Sequence, residues 1–278
     1  MLAWVDHLRA QDLASSTVSS YLQALHNMLW GMCPEADIGF LRDLSTYLVA
    51  TARPKKSKAG RLWPIDAVYE AALGMMDDAD RTPPPRPLWD STRYRDGLMI
   101  AILCATALRR KNIASLCVGC HLTRHEDVFH LSIPGEEMKN GQPIEFELPK
   151  SLTPYLDHYL AHHRPRLLRG RDHDRLWVTK EGDPFTRNTV SGRVVKVSTR
   201  LGYPMTSHDF RTSAATTMAE VAPELALTIG PFLGHCGQHT SELYYNKAQM
   251  LVSARRYAES IMARRARSAN EVASHEAN

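Results

Sequence analysis

Apolar residues recur at helical spacing over most of this chain and alternate over one short stretch. Met1–Gln11 carries a short amphipathic pattern. Ser15, Ser16 and Thr17 offer hydroxyl caps ahead of Val18, Tyr21, Leu22, Leu25, Met28 and Leu29, whose spacing predicts a second helix. Cys33-Pro34 stops it, and Ile38–Ala52 predicts a third. The pattern resumes with a helix over Pro64–Met76, a Pro83-Pro84-Pro85 loop, and a strongly apolar helix over Arg93–Leu108. Between residues 125 and 149 the period shifts toward two. Val128–Ile133 and Ile144–Leu148 read as strands around the turn Lys139-Asn140-Gly141, where Asn-Gly is a strong hairpin signal. Beyond Leu152 the chain reads as helices again, ending in a basic one at Val252–Arg267 and a polar tail. The expectation is a mainly α fold with a small antiparallel sheet, without internal repeats or low-complexity segments.

Composition changes this picture little. Apolar residues make up 44% and charged residues 23%, enough for an ordinary core and against global disorder. At 278 residues the chain is long enough for two domains. We expect a short helical domain over 1–52, a linker over 53–62 and a larger domain over 63–278. The net charge of +4 is a mild bias, so its placement matters more than its sum. Arg53, Lys55, Lys56, Lys58 and Arg61 form an acid-free run in the linker. Two more runs lie at Arg164–Arg171 and Arg255–Arg267. Each reads either as a solvated face or as a surface for phosphates. Five cysteines, without a basic-then-apolar leader, predict a reducing, cytoplasmic setting. Leu98–Leu108 is the longest apolar run and is too short to span a bilayer, which takes about 20 residues, so no membrane partner is expected.

The chemistry concentrates late in the chain. His208-Asp209-Phe210-Arg211 is followed by Leu233-Gly234-His235 and then by Thr240–Tyr245. A phenol with an ordinary pKa near ~10 is a poor nucleophile outside a cationic, hydrogen-bonding setting. Arginine presents a planar fork to phosphate oxygens, and histidine donates a hydrogen bond or carries a proton near neutral pH. Upstream, Thr106-Ala107-Leu108-Arg109 closes the apolar helix with an arginine, and Lys139 sits at the hairpin turn. Together these residues point to DNA strand cleavage through a phosphotyrosine.

The set and its order resemble the tyrosine recombinase (phage integrase) family over about 63–250, with a weaker likeness of 1–52 to the family's helical core-binding domain. The resemblance implies that Arg109 and Arg211 clamp the non-bridging oxygens of the scissile phosphate. It implies that His208 and His235 hydrogen-bond the same phosphate and that Lys139 protonates the departing 5′ hydroxyl. Tyr244, nine residues after His235, stands in the nucleophile's register, with Tyr245 as the adjacent competitor. Thr206 or Ser207 would cap the His208 helix, so that its amides add to the anion site. Duplex DNA is the implied partner, gripped by the two domains and the basic linker. Self-association into a tetramer on paired sites and accessory DNA-bending proteins are further implied partners. Neither metal nor nucleotide cofactor is implied, and no phosphate-binding Gly-x-x-x-x-Gly-Lys-Ser/Thr loop is present. The chain departs from the family in Asn112, where an acidic residue is common three places after the first arginine. Its N-terminal region is short, and no separate arm-site-binding domain is expected before it.

Other readings attach to some of these residues. Cys117-Val-Gly-Cys120-His121 matches a haem c attachment pattern, against which stands small-residue packing after the Arg109 helix. His235, Cys236 and His239 suit no usual structural zinc spacing. Asp77, Asp78 and Asp80 read as a solvated helix end rather than a metal-dependent nuclease. For the whole chain, two alternatives to recombination remain. One is a topoisomerase-IB-like enzyme that rejoins the same strand, and the other a non-catalytic DNA-binding regulator on the same fold.

Overall fold

The computed structural model describes residues 2–11, 13–51, 62–81, 86–139 and 141–221. The chain divides into two compact units, residues 1–60 and 61–278.

The first unit is built from α1 (Leu2–Ala10), α2 (Ser15–Met32) and α3 (Gly39–Ala50). Its core is Val5, Leu8, Val18, Leu22, Leu41 and Leu48. On α2 the inward stripe is Val18, Leu22, Leu25 and Leu29, a spacing that keeps one face, while Tyr21 and Met28 stand exposed beside it. Ala14 takes the cap position of α2 without a side-chain bond, so Ser15–Thr17 fall inside the first turn rather than ahead of it. Ser19 and Ser45, both buried, meet at 2.8 Å between α2 and α3 and satisfy each other.

The second unit is organised around α5 (Pro87–Thr106). Fourteen of its twenty residues are buried, so its apolar positions run round the whole cylinder and its neighbours must cover every side. Helix α4 (Ile65–Arg81) lies along it. Both helices are longer than the periodicity alone predicts, α4 at its acidic C-terminal end and α5 at its N-terminus, where Pro87 fits the first turn. Gly97 sets the closeness of the pair: a Cβ there would lie 2.8 Å from Met76 Cγ and 2.9 Å from the Ala72 carbonyl. Burial also forces Asp96 to find cations. Arg95 Nη2 donates to Asp96 at 2.7 Å, and Arg193 of α9 (Arg187–Arg200) pairs with its other oxygen. Arg95 also donates to the Val178 carbonyl at 2.6 Å and lies over the Phe185 ring.

A three-stranded antiparallel sheet packs its apolar side chains into the same core, with β1 (Leu122–His125), β2 (Val128–Ile133) and β3 (Ile144–Glu147) in that order. The registers pair Leu122 with Leu131 and Ile133 with Ile144. Strand β1 was not predicted, because Leu122 is its one buried position in four. The β2–β3 connection runs through residues 134–143 and is not a tight hairpin. Pro134 and Pro143 at its ends lack the N–H that a continuing ladder needs, so the chain turns through a 3₁₀ segment at Gly135–Glu137 instead. Beyond the sheet come α7 (Thr153–His158), a π-helical turn (Tyr159–His163), α8 (Arg164–Leu168), α9 and α10 (Ser207–Val221). Among the described residues, no helix is long and apolar enough to cross a membrane.

Gly97→Ala should destabilise the second unit. Overpacking costs about 1–3 kcal/mol and helix propensity returns at most about 1 kcal/mol. A thermal melt should show a midpoint lower by a few degrees; an unchanged or higher midpoint would show that α4 and α5 can part without cost.

Candidate functional site

Helix α5 ends at Thr106, and Ala107 turns the chain sharply in a left-handed conformation, φ 48°. Leu108 is buried, and Arg109 follows at the cap of α6 (Arg110–Ser115), half-buried. The second arginine arrives from the far end of the unit. Arg211, 7% exposed on α10, donates from Nη1 to the Ala107 carbonyl at 2.5 Å across 104 residues. A buried helix-exit carbonyl needs a donor, and a guanidinium supplies one. This bond brings the α10 face next to the turn that carries Arg109.

Helix α10 is held in place at several further points. Ser198 at the end of α9 bonds both the amide and the carbonyl of Met205, at 3.0 and 2.9 Å, fixing the approach to α10. Thr206 and Asp209 form a reciprocal cap: Asp209 Oδ2 accepts from the Thr206 amide and hydroxyl at 2.8 Å, and Thr206 Oγ1 accepts from the Asp209 amide. Of the two candidates, Thr206 is therefore the cap. A carboxylate and a hydroxyl already occupy this helix start, so the side chains of His208 and Arg211, more than the helix amides, define what the face offers an anion. Ser213 accepts from the Trp63 amide at 3.3 Å. His208 is exposed and stands three residues before Arg211, the spacing that puts both on one helical face.

Lys139 is exposed in the β2–β3 connection, and the structure shows what holds that connection. Lys111 Nζ donates to the Glu137 carbonyl at 3.1 Å, and Asn112 Nδ2 points at Met138 Sδ at 3.2 Å. His121 accepts from the Cys117 amide at Nδ1, so its Nε2–H is the group that reaches the Glu137 carboxylate at 3.1 Å. Met138 is buried beneath them. The two residues after Arg110 thus tie the Lys139 loop to the Arg109 helix. Asn112, at the position where an acid is common, is 2% exposed and serves this tether. The same bonds account for the Cys117–His121 motif. Both nitrogens of His121 are engaged, and Cys117 donates from Sγ to the Ser115 carbonyl while burial pushes its thiol up to about 11. It is a folded turn rather than a haem attachment.

Gly135 lets the loop close on itself, since a Cβ there would collide with the Gly141 carbonyl oxygen. Gly141 takes a positive φ of 70°. His235, Tyr244 and Tyr245 lie outside the described residues, as do Arg53, Lys55, Lys56, Lys58 and Arg61. Of the predicted residues, the structure therefore places Arg109, Lys139, His208 and Arg211. It joins Arg211 to the Arg109 turn by a direct hydrogen bond, and Lys139 to the Arg109 helix through its neighbours.

Periodicity did not reveal a cleft of about 630 Å³ between the starts of α5 and the face of α9. Arg86, Arg93, Arg193, Lys196 and Arg200 line it beside Trp89. These cations are spread over two helices far apart in sequence, so no charge run announces them.

The sequence profile of the phage integrase family matches residues 72–250. Tyrosine recombinase XerD of Chlorobaculum tepidum is 24% identical over 256 residues, 87% of this chain and 81% of the relative. XerD of Halalkalibacterium halodurans is 22% identical over 248 residues, 88% and 75% of the two chains. Among solved structures, the chain is similar to XerH site-specific recombinase bound to difH substrate in a pre-cleavage complex. That similarity has 19% identity and a TM-score of 0.49 over 66% of this chain, and spans half the length of the XerH chain.

Gly135→Ala should open the loop that carries Lys139 while leaving the core intact. Amide hydrogen exchange should accelerate at Met138 and Gly141 with little change in the thermal midpoint. Unaltered protection at both amides would mean that the loop closes without the glycine.

Proposed function

Because the chain belongs to the phage integrase family, we propose that it is a site-specific DNA recombinase that cuts and rejoins duplex DNA through a 3′-phosphotyrosyl intermediate. The observation that carries this reading is the Arg211–Ala107 hydrogen bond, which assembles the Arg109 turn and the His208–Arg211 face out of segments a hundred residues apart.

In this reading the forks of Arg109 and Arg211 take the non-bridging oxygens of the scissile phosphate. Charge accumulates on those oxygens in the pentavalent transition state, and cations already in place stabilise it without reorganising. His208 and His235 donate hydrogen bonds to the same phosphate. Tyr244 Oη gives up its proton, a transfer that His208 assists, and attacks phosphorus as the bond to the 5′ oxygen breaks; Lys139 delivers the proton that the departing oxygen takes up. The phosphodiester becomes a phosphotyrosine of similar energy, so the free 5′ hydroxyl of another strand reverses the step without nucleotide hydrolysis. Tyr245 is the alternative nucleophile. Preorganisation explains why the Lys139 loop is tethered: a proton donor a full ångström out of place loses most of its contribution.

Duplex DNA is the proposed substrate. The segment 53–61 adds phosphate contacts, residues 1–60 serve as a core DNA-binding unit, and a tetramer on paired sites performs the exchange, with DNA-bending proteins as accessories. Affinity resting on phosphate contacts falls steeply with salt. Asn112 is the observation that keeps a second reading, a DNA-binding regulator without turnover, since an acid is common there in the family. Binding without covalent capture would favour it, and relaxation of supercoils by a monomer would favour the topoisomerase-like alternative.

Tyr244→Phe should keep DNA binding and lose the covalent protein–DNA product formed on nicked duplexes from the DNA flanking the gene. A covalent product that persists in this variant moves the nucleophile to Tyr245 or elsewhere. Arg211→Lys keeps a donor for Ala107 and a positive charge but loses the fork. It should fold and bind DNA while cleaving about 10²-fold more slowly; near-full cleavage would sink the clamp assignment. Arg211→Ala should in addition lose about 1–3 kcal/mol of stability, because it strands the buried Ala107 carbonyl.

A further inference from the structure

The acidic end of α4 is not simply solvated. Asp80 Oδ2 lies 3.1 Å from His158 Nε2, and Asp80 Oδ1 lies 3.1 Å from His163 Nε2. Among the described residues these three side chains form a group in which one donor atom from each lies within 4.8 Å of the others.

What brings them together is the π-helical turn at Tyr159–His163. In an α-helix, residues five apart point about 140° away from each other. The wider turn of i→i+5 bonding puts His158 and His163 on the same face, toward Asp80. Such turns are uncommon and often mark functional positions.

His163 is built as a ligand. Its side chain is 1% exposed and its ring stacks on Tyr94 at 4.1 Å, so its position is fixed. Nδ1 lies 3.1 Å from the buried Ser91 hydroxyl, a hydrogen bond that orients the ring. In the tautomer that a metal selects, Nδ1–H donates to Ser91 and the Nε2 lone pair faces Asp80; Nε2 is buried, and its 3.1 Å contact to Asp80 lies off hydrogen-bond geometry. An oriented imidazole with its second nitrogen held by a neighbour is the usual outer support of a metal-binding histidine. Around the group, Tyr155 donates to Asp77 at 3.0 Å and so holds a second carboxylate near the same helix end. Arg166 opposes a cation there and the Asp80 carboxylate offsets it, while Asp77 is itself paired with Arg81.

We propose that Asp80, His158 and His163 form a binding site for one divalent transition-metal cation, zinc by the nature of its ligands. Two imidazoles and a carboxylate suit zinc at about 2.0–2.2 Å per bond. Tetrahedral angles then set the donors about 3.4 Å apart, which the Asp80 contacts already approach. The side chains of Asp80 and His158 are each 40% exposed, so water reaches the remaining position. The ion would clip the end of α4 to the π turn, beside the first turns of α5. The sequence carries half a signal for this in the histidines at 158, 162 and 163: 158 and 162 have the i,i+4 spacing of an α-helical pair, whereas 158 and 163 share a face only through the π turn. This site is independent of the recombinase reading.

The test is zinc titration of the full chain after chelator treatment, by calorimetry, alongside Asp80→Asn and His158→Ala. Both substitutions fall on part-exposed side chains, and circular dichroism checks that the helices remain. The wild type should bind one equivalent and gain thermal stability with zinc, and each variant should weaken binding about 100-fold and abolish that gain. A wild type that binds no zinc at millimolar concentration overturns the proposal. So does wild-type affinity in either variant, which would place the ion on other histidines or cysteines.

Discussion

A helix buried along most of its length cannot leave its interior polar groups or its buried exit unpaired, and α5 imposes that constraint on the whole second unit. Its exit carbonyl at Ala107 is met by Arg211, its buried Asp96 by Arg95 and Arg193, and its Ser91 by His163. Apart from Arg95, which lies on α5 itself, these partners come from different parts of the chain. Satisfying α5 is therefore what draws α9, α10 and the π turn onto one body. The interior cost of unpaired polar groups exceeds the modest gain of each bond, so the arrangement is enforced more by what would be lost than by what is gained.

The candidate site inherits its rigidity from this arrangement. Arg211 bonds the left-handed turn at Ala107 that leads to Arg109, a conformation that a non-glycine residue holds only when its surroundings insist. The Lys139 loop is a different kind of part. It stands out from the sheet, and its position depends on a lysine, an asparagine and a histidine that reach it from α6 and the turn before β1. The proposed phosphate clamp and the proposed proton donor are thus mounted separately, one in the core and one on a tethered loop, which would suit a group that meets a leaving oxygen only once substrate is seated.

Much of the fold was legible in the chain, for identifiable reasons. Strands β2 and β3 alternate plainly, and α2, α4 and α5 carry clear helical periods, because side-chain direction repeats locally. Errors gathered where local pattern is weak. Leu122 alone could not announce β1, and Asn140-Gly141 suggested a tight turn that the flanking prolines prevent. Arg109, Lys139, His208 and Arg211 were legible as a chemical set in a fixed order, which places the chain in its family. Neither the bond from Arg211 to the turn before Arg109 nor the tethers behind Lys139 could be read, since Ala107, Glu137 and Met138 take part through backbone and sulfur atoms that leave no mark on a motif.

By itself, then, the sequence determined the kinds of element, the mainly α class, the family and the inventory of reactive side chains, all of which follow from spacing and residue type. Only the tertiary structure decided which of them meet. The Ala107 carbonyl selects Arg211 from the far end of the unit because a buried acceptor requires a donor. The π turn aims His158 and His163 together at Asp80 because one extra residue in a helical turn rotates a side chain onto a new face. Such meetings depend on burial shared between segments eighty or a hundred residues apart, and no local pattern encodes that.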